Sequence, residues 1–448
     1  MIRSLPVIAL LSVAATPSEA SIWSRLDPPQ VWFVFAGPSS GGTAQDRPLR
    51  EAVALWTAGK SDDALQMIEW MICSRGSTKL FQSYVGCLAP AADQPHLQRA
   101  WLLAGELQIW HWPARALEAY KRVLESAPAT SNFHAVALYQ AGIASYRLGR
   151  SSDAAHYLDQ LLGSSSPVAR LLWRPAVDYL GLVFGDYTWD GQDTIDGIAT
   201  QRPPRVERVP AKKRKIWIIR DDDGLVFQDA IANIDRFFKG RYEQRQVHEV
   251  YRAMAQVYYD SSRLNGCLAL VRLADERWPG HPDAPRFHDL RIRALEDLRN
   301  SKEAAAARSE FLVRFGRGSI WAEKNRDQPF ALEWVRKRAL DLSQEPKAAP
   351  PPRLASLPSE NLAQAVAHLP APPWLRCATE CGQTAWPALV KVSLAVDPDG
   401  MLRDGDPARS KGGFEDCLLR QLRGIKVQRE GDGAMLRVQS YFVLLPDQ

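Results

Sequence analysis

No apolar run in this 448-residue chain is long enough to cross a bilayer as a helix, which takes about 20 apolar residues. The longest near the N-terminus, Leu5 to Ala15, has eleven. A surplus of one charge is also missing: 56 Lys and Arg stand against 51 Asp and Glu, a net +5. A nucleic-acid-binding domain is dominated by its cations, so that partner is excluded. Histidine is sparse, with eight residues and no HExxH motif. Cys377 and Cys381 are four apart with no second close pair, so a zinc site has no sequence support. Thr43 stands where a phosphate-binding loop needs its Lys. No metal, cofactor or transmembrane span is expected.

One catalytic pattern is formally present. Gly37-Pro38-Ser39-Ser40-Gly41 matches GxSxG after the apolar stretch Val31 to Ala36. A nucleophile elbow passes straight into a helix, whereas Gly42, Thr43, Gln45, Asp46 and Pro48 follow here. No parallel sheet is expected elsewhere. An exported serine hydrolase using Ser39 therefore stands only as the alternative class, and the segment 21–45 reads as an N-terminal arm.

What is present is ordinary globular composition, 46% hydrophobic and 24% charged. At roughly 150 residues per domain the length suggests about three domains. Arg3, the apolar stretch after it and Ser18-Glu19-Ala20 form a signal peptide over residues 1–20, cleaved after Ala20. Export places the chain in the periplasm or at the outer membrane, where thiols pair. Cys73 and Cys87 flank a polar, glycine-containing connection and read as one disulfide; Cys267, inside an apolar helical stripe, reads as a buried free thiol.

Residues 46–185 and 225–344 carry a repeated helix-turn-helix pattern. In Leu138 to Gly149 a first helix has the small Gly142 at a crossing point and ends at Gly149; a second helix has Ala154, Leu158 and Leu161 on one face before Pro167. The spacing recurs in Trp101, Gly105, Ala116, Tyr120, Val123 and Pro128, and in Ala255, Tyr258, Cys267, Val271, Ala274 and Pro279. Weaker copies run from Leu49 through Gly59, Ala64 and Ile68 to Met71, and from Asp289 through Ala305 to Leu312. A period of about 34 residues closed by proline resembles the tetratricopeptide (TPR) repeat. The implied fold is mainly α, a TPR-like helix-pair superhelix. Val168 to Phe184 adds a long apolar helix. The ending Phe315-Gly316-Arg317-Gly318-Ser319-Ile320-Trp321, Asn325 and the helix Phe330 to Leu342 resembles cell-envelope TPR proteins of gliding, myxobacterial-type bacteria.

Eight prolines between Pro346 and Pro373 mark a linker over 345–374. The period then changes from 3.6 to 2. Leu389 to Val396 alternates as a strand, Asp397-Pro398-Asp399-Gly400 turns the chain, Phe414 to Leu422 fits a helix and Leu436 to Leu445 a closing strand. Residues 375–448 are thus a small α+β domain, and their order resembles the C-terminal domain of TonB-type energy transducers. In the gliding-motility variant of that domain a Cys before the first strand and a Cys in the helix recur. The resemblance implies a Cys377 to Cys417 disulfide, with Cys381 as the alternative donor.

Two features are candidate partner surfaces. Residues 186–224 read as a basic, Pro-containing loop: eight cations, including Lys212, Lys213, Arg214 and Lys215, fall between Arg202 and Arg220 against the single acid Glu207. Such a run is a solvated loop or a contact for an anionic surface. Trp110 and Trp112, near a helix turn, are the better surface aromatics, whereas Trp101 occupies a repeat core position. The combined expectation is a non-enzymatic exported scaffold of a bacterial envelope assembly, holding envelope proteins or peptides, in motility or TonB-linked transport machinery. A periplasmic regulator of TonB-type transport is the other alternative.

Overall fold

A computed structural model describes residues 30–35, 47–73, 84, 87, 94–185, 206–211, 214–219, 231, 233–260, 263–343, 377, 388–396, 399, 401–404, 413–423, 425–427 and 436–445. The signal segment, Ser39, Lys212, Lys213, the 345–374 linker and Cys381 lie outside the described residues. Two compact units divide the chain, residues 1–176 with 354–448 and residues 177–353.

The helical part of the first unit contains α1 (Arg47–Thr57), α2 (Ser61–Cys73), α3 (Pro95–Gln108), α4 (Pro113–Ser126), α5 (Asn132–Arg147), α6 (Ser151–Leu162) and the start of α7 (Pro167–Gly185). From α1 to α6 each helix packs on the next in sequence, and α3 also touches α5. Proline opens α3 and α4, where its missing N–H costs no hydrogen bond. The Ser131 hydroxyl caps α5 by accepting from the His134 amide at 3.1 Å. The turn after α5 places Gly149 at φ 74°. There the Gly149 amide donates to the Tyr146 carbonyl and the Arg150 amide to the Ser145 carbonyl, a Schellman closure that needs a left-handed residue. The same two bonds close α1 before α2, with Gly59 at φ 76°.

Side-chain size then sets how closely each pair approaches. A Cβ on Gly142 would stand 2.8 Å from Leu158 Cγ, and one on Gly105 would overlap the Tyr120 ring. α5 is buried on nearly every side, from Asn132 through Ser145, because α3, α4 and α6 all pack against it. That is why its sequence lacks a polar stripe.

The second unit holds the rest of α7, the hairpin β2 (Val206–Ala211) and β3 (Arg214–Ile219), a short helical stretch over 233–237, α8 (Arg245–Asp260), α9 (Leu264–Arg277), α10 (Ala284–Asp297), α11 (Ser301–Phe315), α12 (Ile320–Lys324) and α13 (Pro329–Ser343). In α7, Gly181 lets the helix lie against α8, since a Cβ there would be 2.5 Å from the Ala253 Cβ. The α10 to α11 turn repeats the Schellman bonds with Arg299 at φ 56° in the glycine position. Phe311, Phe315, Trp321 and Val335 close the last core cluster, which covers α11 with α12 and α13.

Three readings need correction. Residues 206–219 are not loop: β2 and β3 pair antiparallel from Val206 with Ile219 to Ala211 with Arg214, because Val206, Val209, Ile216, Ile218 and Ile219 suit a pleated ribbon better than their prolines oppose it. The crossing alanine of the fifth pair is Ala304, buried, and not Ala305, which is exposed; it lies three residues after Ser301, as Ala64 and Ala154 lie three after Ser61 and Ser151. The expectation that the chain has no parallel sheet also fails, because β1 (Gln30–Phe35) in the N-terminal arm makes a parallel pair with its partner.

That partner is in the C-terminal sheet of the first unit. β4 (Ala388–Val396), β5 (Leu402–Asp404) and β6 (Leu436–Leu445) join β1 in the order β1-β6-β4-β5. β4 runs antiparallel to β6 from Ala388 with Leu444 to Val396 with Leu436. Leu394 and Val396, two apart, are buried, as the period of 2 requires. The helix α14 (Phe414–Leu422) touches β4 and β5 and buries Cys417, Leu418 and Leu422.

Candidate functional site

The α3, α4 and α5 helices bring three polar side chains together. Glu106 on α3 is half-buried, and its Oε1 accepts from the Tyr120 hydroxyl at 2.9 Å and from Gln140 Nε2 at 2.7 Å. Burial pushes the Glu106 carboxyl up to about 7, with the hydrogen bonds from Tyr120 and Gln140 pulling the other way. Burial and the adjacent Glu106 also raise the Tyr120 hydroxyl. This seam joins the first helices of two consecutive pairs through a carboxyl poised to titrate near neutrality.

At the other side of α3, Tyr84 stands edge-on to Trp101 at 4.8 Å and accepts from Gln108. The Arg115 guanidinium lies 4.9 Å from the Tyr84 ring and pairs with Glu69. Trp101 is fully buried, a core residue. Trp110 and Trp112, at the α3 to α4 turn, are half-buried. Arg147 from the end of α5 covers the Trp110 ring at 4.4 Å, a cation–π contact that holds the indole in place. Trp112 has the His111 ring as neighbour at 5.9 Å.

In the second unit, Arg277 grips Asp235 with two bonds of 2.7 Å, donates to the Tyr251 hydroxyl at 2.7 Å and lies over Tyr242 at 4.5 Å. Tyr251 in turn donates to Asp235. This is a bidentate clamp tying α9 to α8 and to the 233–237 stretch.

Sequence spacing missed a further cluster. His248 on α8, His281 after α9 and Asp283 before α10 each offer a ligand atom, all within 4.8 Å of one another. His248 Nε2 is 3.1 Å from Asp283 Oδ2, and the imidazole centroids are 3.6 Å apart. Burial and the neighbouring His248 hold His281 down to about 4. His281 and Asp283 are two apart in the chain, and helix packing brings His248 to them from 33 residues before His281.

Sulfur chemistry falls at two places. Cys73 and Cys87 have Sγ atoms 2.14 Å apart, and Cys377 and Cys417 2.07 Å apart. Cys267 is buried and unpaired, its thiol pushed up to about 12 by burial. Of the basic run, Arg214 and Lys215 begin β3, opposite Ala211 and Pro210; Lys212 and Lys213 lie outside the described residues. No helix among the described residues is long and apolar enough to cross a membrane.

No protein-family profile and no curated protein matches the chain. Among solved structures it matches the complex of the TPR2AB domain of yeast Sti1 with pHSP90, at 11% identity and a TM-score of 0.21, over 68% of this chain and 100% of that one. A score that low carries no argument. The TPR-like character rests on the chain's own helix pairs, with their repeated Schellman turns and small crossing residues.

Proposed function

We propose that the chain is a non-enzymatic scaffold of a bacterial envelope assembly, exported to the periplasm or the outer membrane, that holds a protein or peptide partner on its helix pairs. The observation that carries this reading is the repetition itself. Helix pairs stack so that successive first helices, α3 and α5, lie side by side, and the same Schellman bonds close the α1–α2, α5–α6 and α10–α11 turns. That arrangement offers a ladder of side chains for an extended or helical ligand. Two cysteine pairs at bonding distance support an oxidising compartment. The sheet with α14 and the Cys377 to Cys417 pair supports a TonB-like module serving motility or transport machinery.

Trp110 and Trp112 are the anchors proposed for the partner, with the cations around Lys212 to Lys215 as a contact for anionic surfaces. In-cell crosslinking of the envelope, followed by affinity isolation, tests the reading with Trp112→Ala and Trp110→Ala beside the parent. Loss of a defined crosslinked partner, with melting unchanged, is the expected result. Crosslinks that survive both substitutions, or map away from α3 to α6, would refute it.

A further inference from the structure

We infer that His248, His281 and Asp283 form a binding site for a late first-row divalent metal ion, Zn²⁺ or its congeners, that ties α8 to the turn between α9 and α10. The donor set is two imidazoles and one carboxylate, and all three ligand atoms lie within 4.8 Å of one another. Ligands of a tetrahedral zinc ion, about 2.0–2.1 Å from the metal, stand roughly 3.3 Å apart. His248 Nε2 and Asp283 Oδ2, hydrogen-bonded at 3.1 Å, already stand near that spacing, and the metal would take the place of the proton between them, which is released to solvent. The third ligand is in the turn, half-buried and outside any helix. Its ring can swing onto the metal without disturbing a helix.

The surroundings of Asp283 choose the mode of binding. Arg286 Nε takes Oδ1 at 3.2 Å, leaving Oδ2 as a single-atom ligand steered by an outer partner, as second-shell groups do. Asp283 precedes α10 without capping it through its side chain, so the carboxylate is not required there for helix initiation. His281 Nδ1 accepts the Asp283 amide at 3.1 Å, which keeps a lone pair on that nitrogen in the metal-free chain. Metal binding at Nδ1 replaces this bond.

The charge around the site also selects among ions. Arg252 and Arg286 both act on Asp283, leaving one partly neutralised carboxylate. Calcium and magnesium need several oxygen ligands and are disfavoured. Imidazole nitrogens suit Zn²⁺, Co²⁺, Ni²⁺ and Cu²⁺. The fourth position is left for water.

The test is Co²⁺ titration of the full chain after treatment with a chelator, followed by visible absorption, with Zn²⁺ as competitor. One Co²⁺ per chain with tetrahedral ligand-field bands, displaced by Zn²⁺ and indifferent to Mg²⁺ and Ca²⁺, is expected. His281→Gln and Asp283→Asn should each weaken binding tenfold or more, while His156→Gln on the exposed face of α6 leaves it unchanged. Because a variant could disturb folding, carbethoxylation of the parent chain gives a second readout: Zn²⁺ should protect His281 from modification and leave His156 reactive. Absence of Co²⁺ binding up to about a thousandfold of the chain concentration overturns the site. So does binding that persists in both variants, or Zn²⁺ that protects neither histidine of the cluster.

Discussion

Replacing Glu106 with Gln removes a half-buried charge and little else. Gln keeps an oxygen that can accept from Tyr120 and Gln140, the two donors now 2.9 and 2.7 Å from Oε1. The Glu106 pKa rises on folding from 4.5 to about 7. At about 1.4 kcal/mol per unit, the ionised form is disfavoured in the fold by roughly 3 kcal/mol. The sign follows from the direction of the shift: the folded chain binds the proton more tightly, so this group costs nothing below about pH 4.5. Its penalty grows as pH rises and is complete above about pH 7. Glu106→Gln should therefore match the parent near pH 4.5 and be more stable by about 2–3 kcal/mol near pH 8, the shift already including the opposing pull of the two hydrogen bonds. The assay is hydrogen exchange of the α3 to α5 amides in both chains across that range, since the difference cancels every other titrating group. A difference that stays flat with pH, or a variant that loses protection at pH 8, would refute the reasoning.

Other substitutions test the packing, the turns and the bridges. Gly142→Leu should lower stability by about 3 kcal/mol or more in urea unfolding, because Leu158 Cγ already occupies the space at 2.8 Å. Arg299→Gly should raise it by about 0.5–1 kcal/mol in the same assay, by relieving a non-glycine φ of 56°, whereas Gly149→Arg should do the reverse. Breaking the Cys377 to Cys417 pair opens a loop of 40 residues and should cost roughly 3–4 kcal/mol, read as a lower urea midpoint for Cys377→Ser with Cys417→Ser; peptide mapping that finds both thiols alkylatable in unreduced protein would remove the premise.

Much of the helical architecture is legible because its signals are local. Gly149, Pro113 and the Leu158 to Leu161 face declare a pair without reference to the rest of the chain, and α14 and β6 span the residues that periodicity gives them. Even the Glu106 to Gln140 contact has a local clue: the two are 34 residues apart, one repeat, so they hold equivalent positions in successive first helices. Reading Ser61-Asp62-Asp63-Ala64, Ser151-Ser152-Asp153-Ala154 and Ser301-Lys302-Glu303-Ala304 as one motif also fixes the register that the Ala305 alignment missed. What stays hidden depends on distance or on competing signals. In residues 206–219 the loop signals of Pro210 and the run of cations compete with the strand signal of the β-branched residues. His248 meets His281 and Asp283 only after α8, α9 and α10 have packed.

The pairing of β1 with β6 is the extreme case of a distant cause with local consequences. Gln30 to Phe35 have no alternation strict enough to name a partner, and the partner, Ser440 to Leu445, comes some four hundred residues later. In an open sheet, an unpaired strand edge recruits another chain. Here β6 has β4 on one side and β1 on the other, so its backbone donors and acceptors are occupied on both sides and the edges left are β1 and the three-residue β5. Strand addition at β6 must therefore displace β1, while the outer edge of β1 and the β4–β5 side, where β5 pairs only with Leu394 to Val396, are the edges among the described residues. The segment that sequence alone presents as an N-terminal arm thus covers the side of β6 that β4 leaves open.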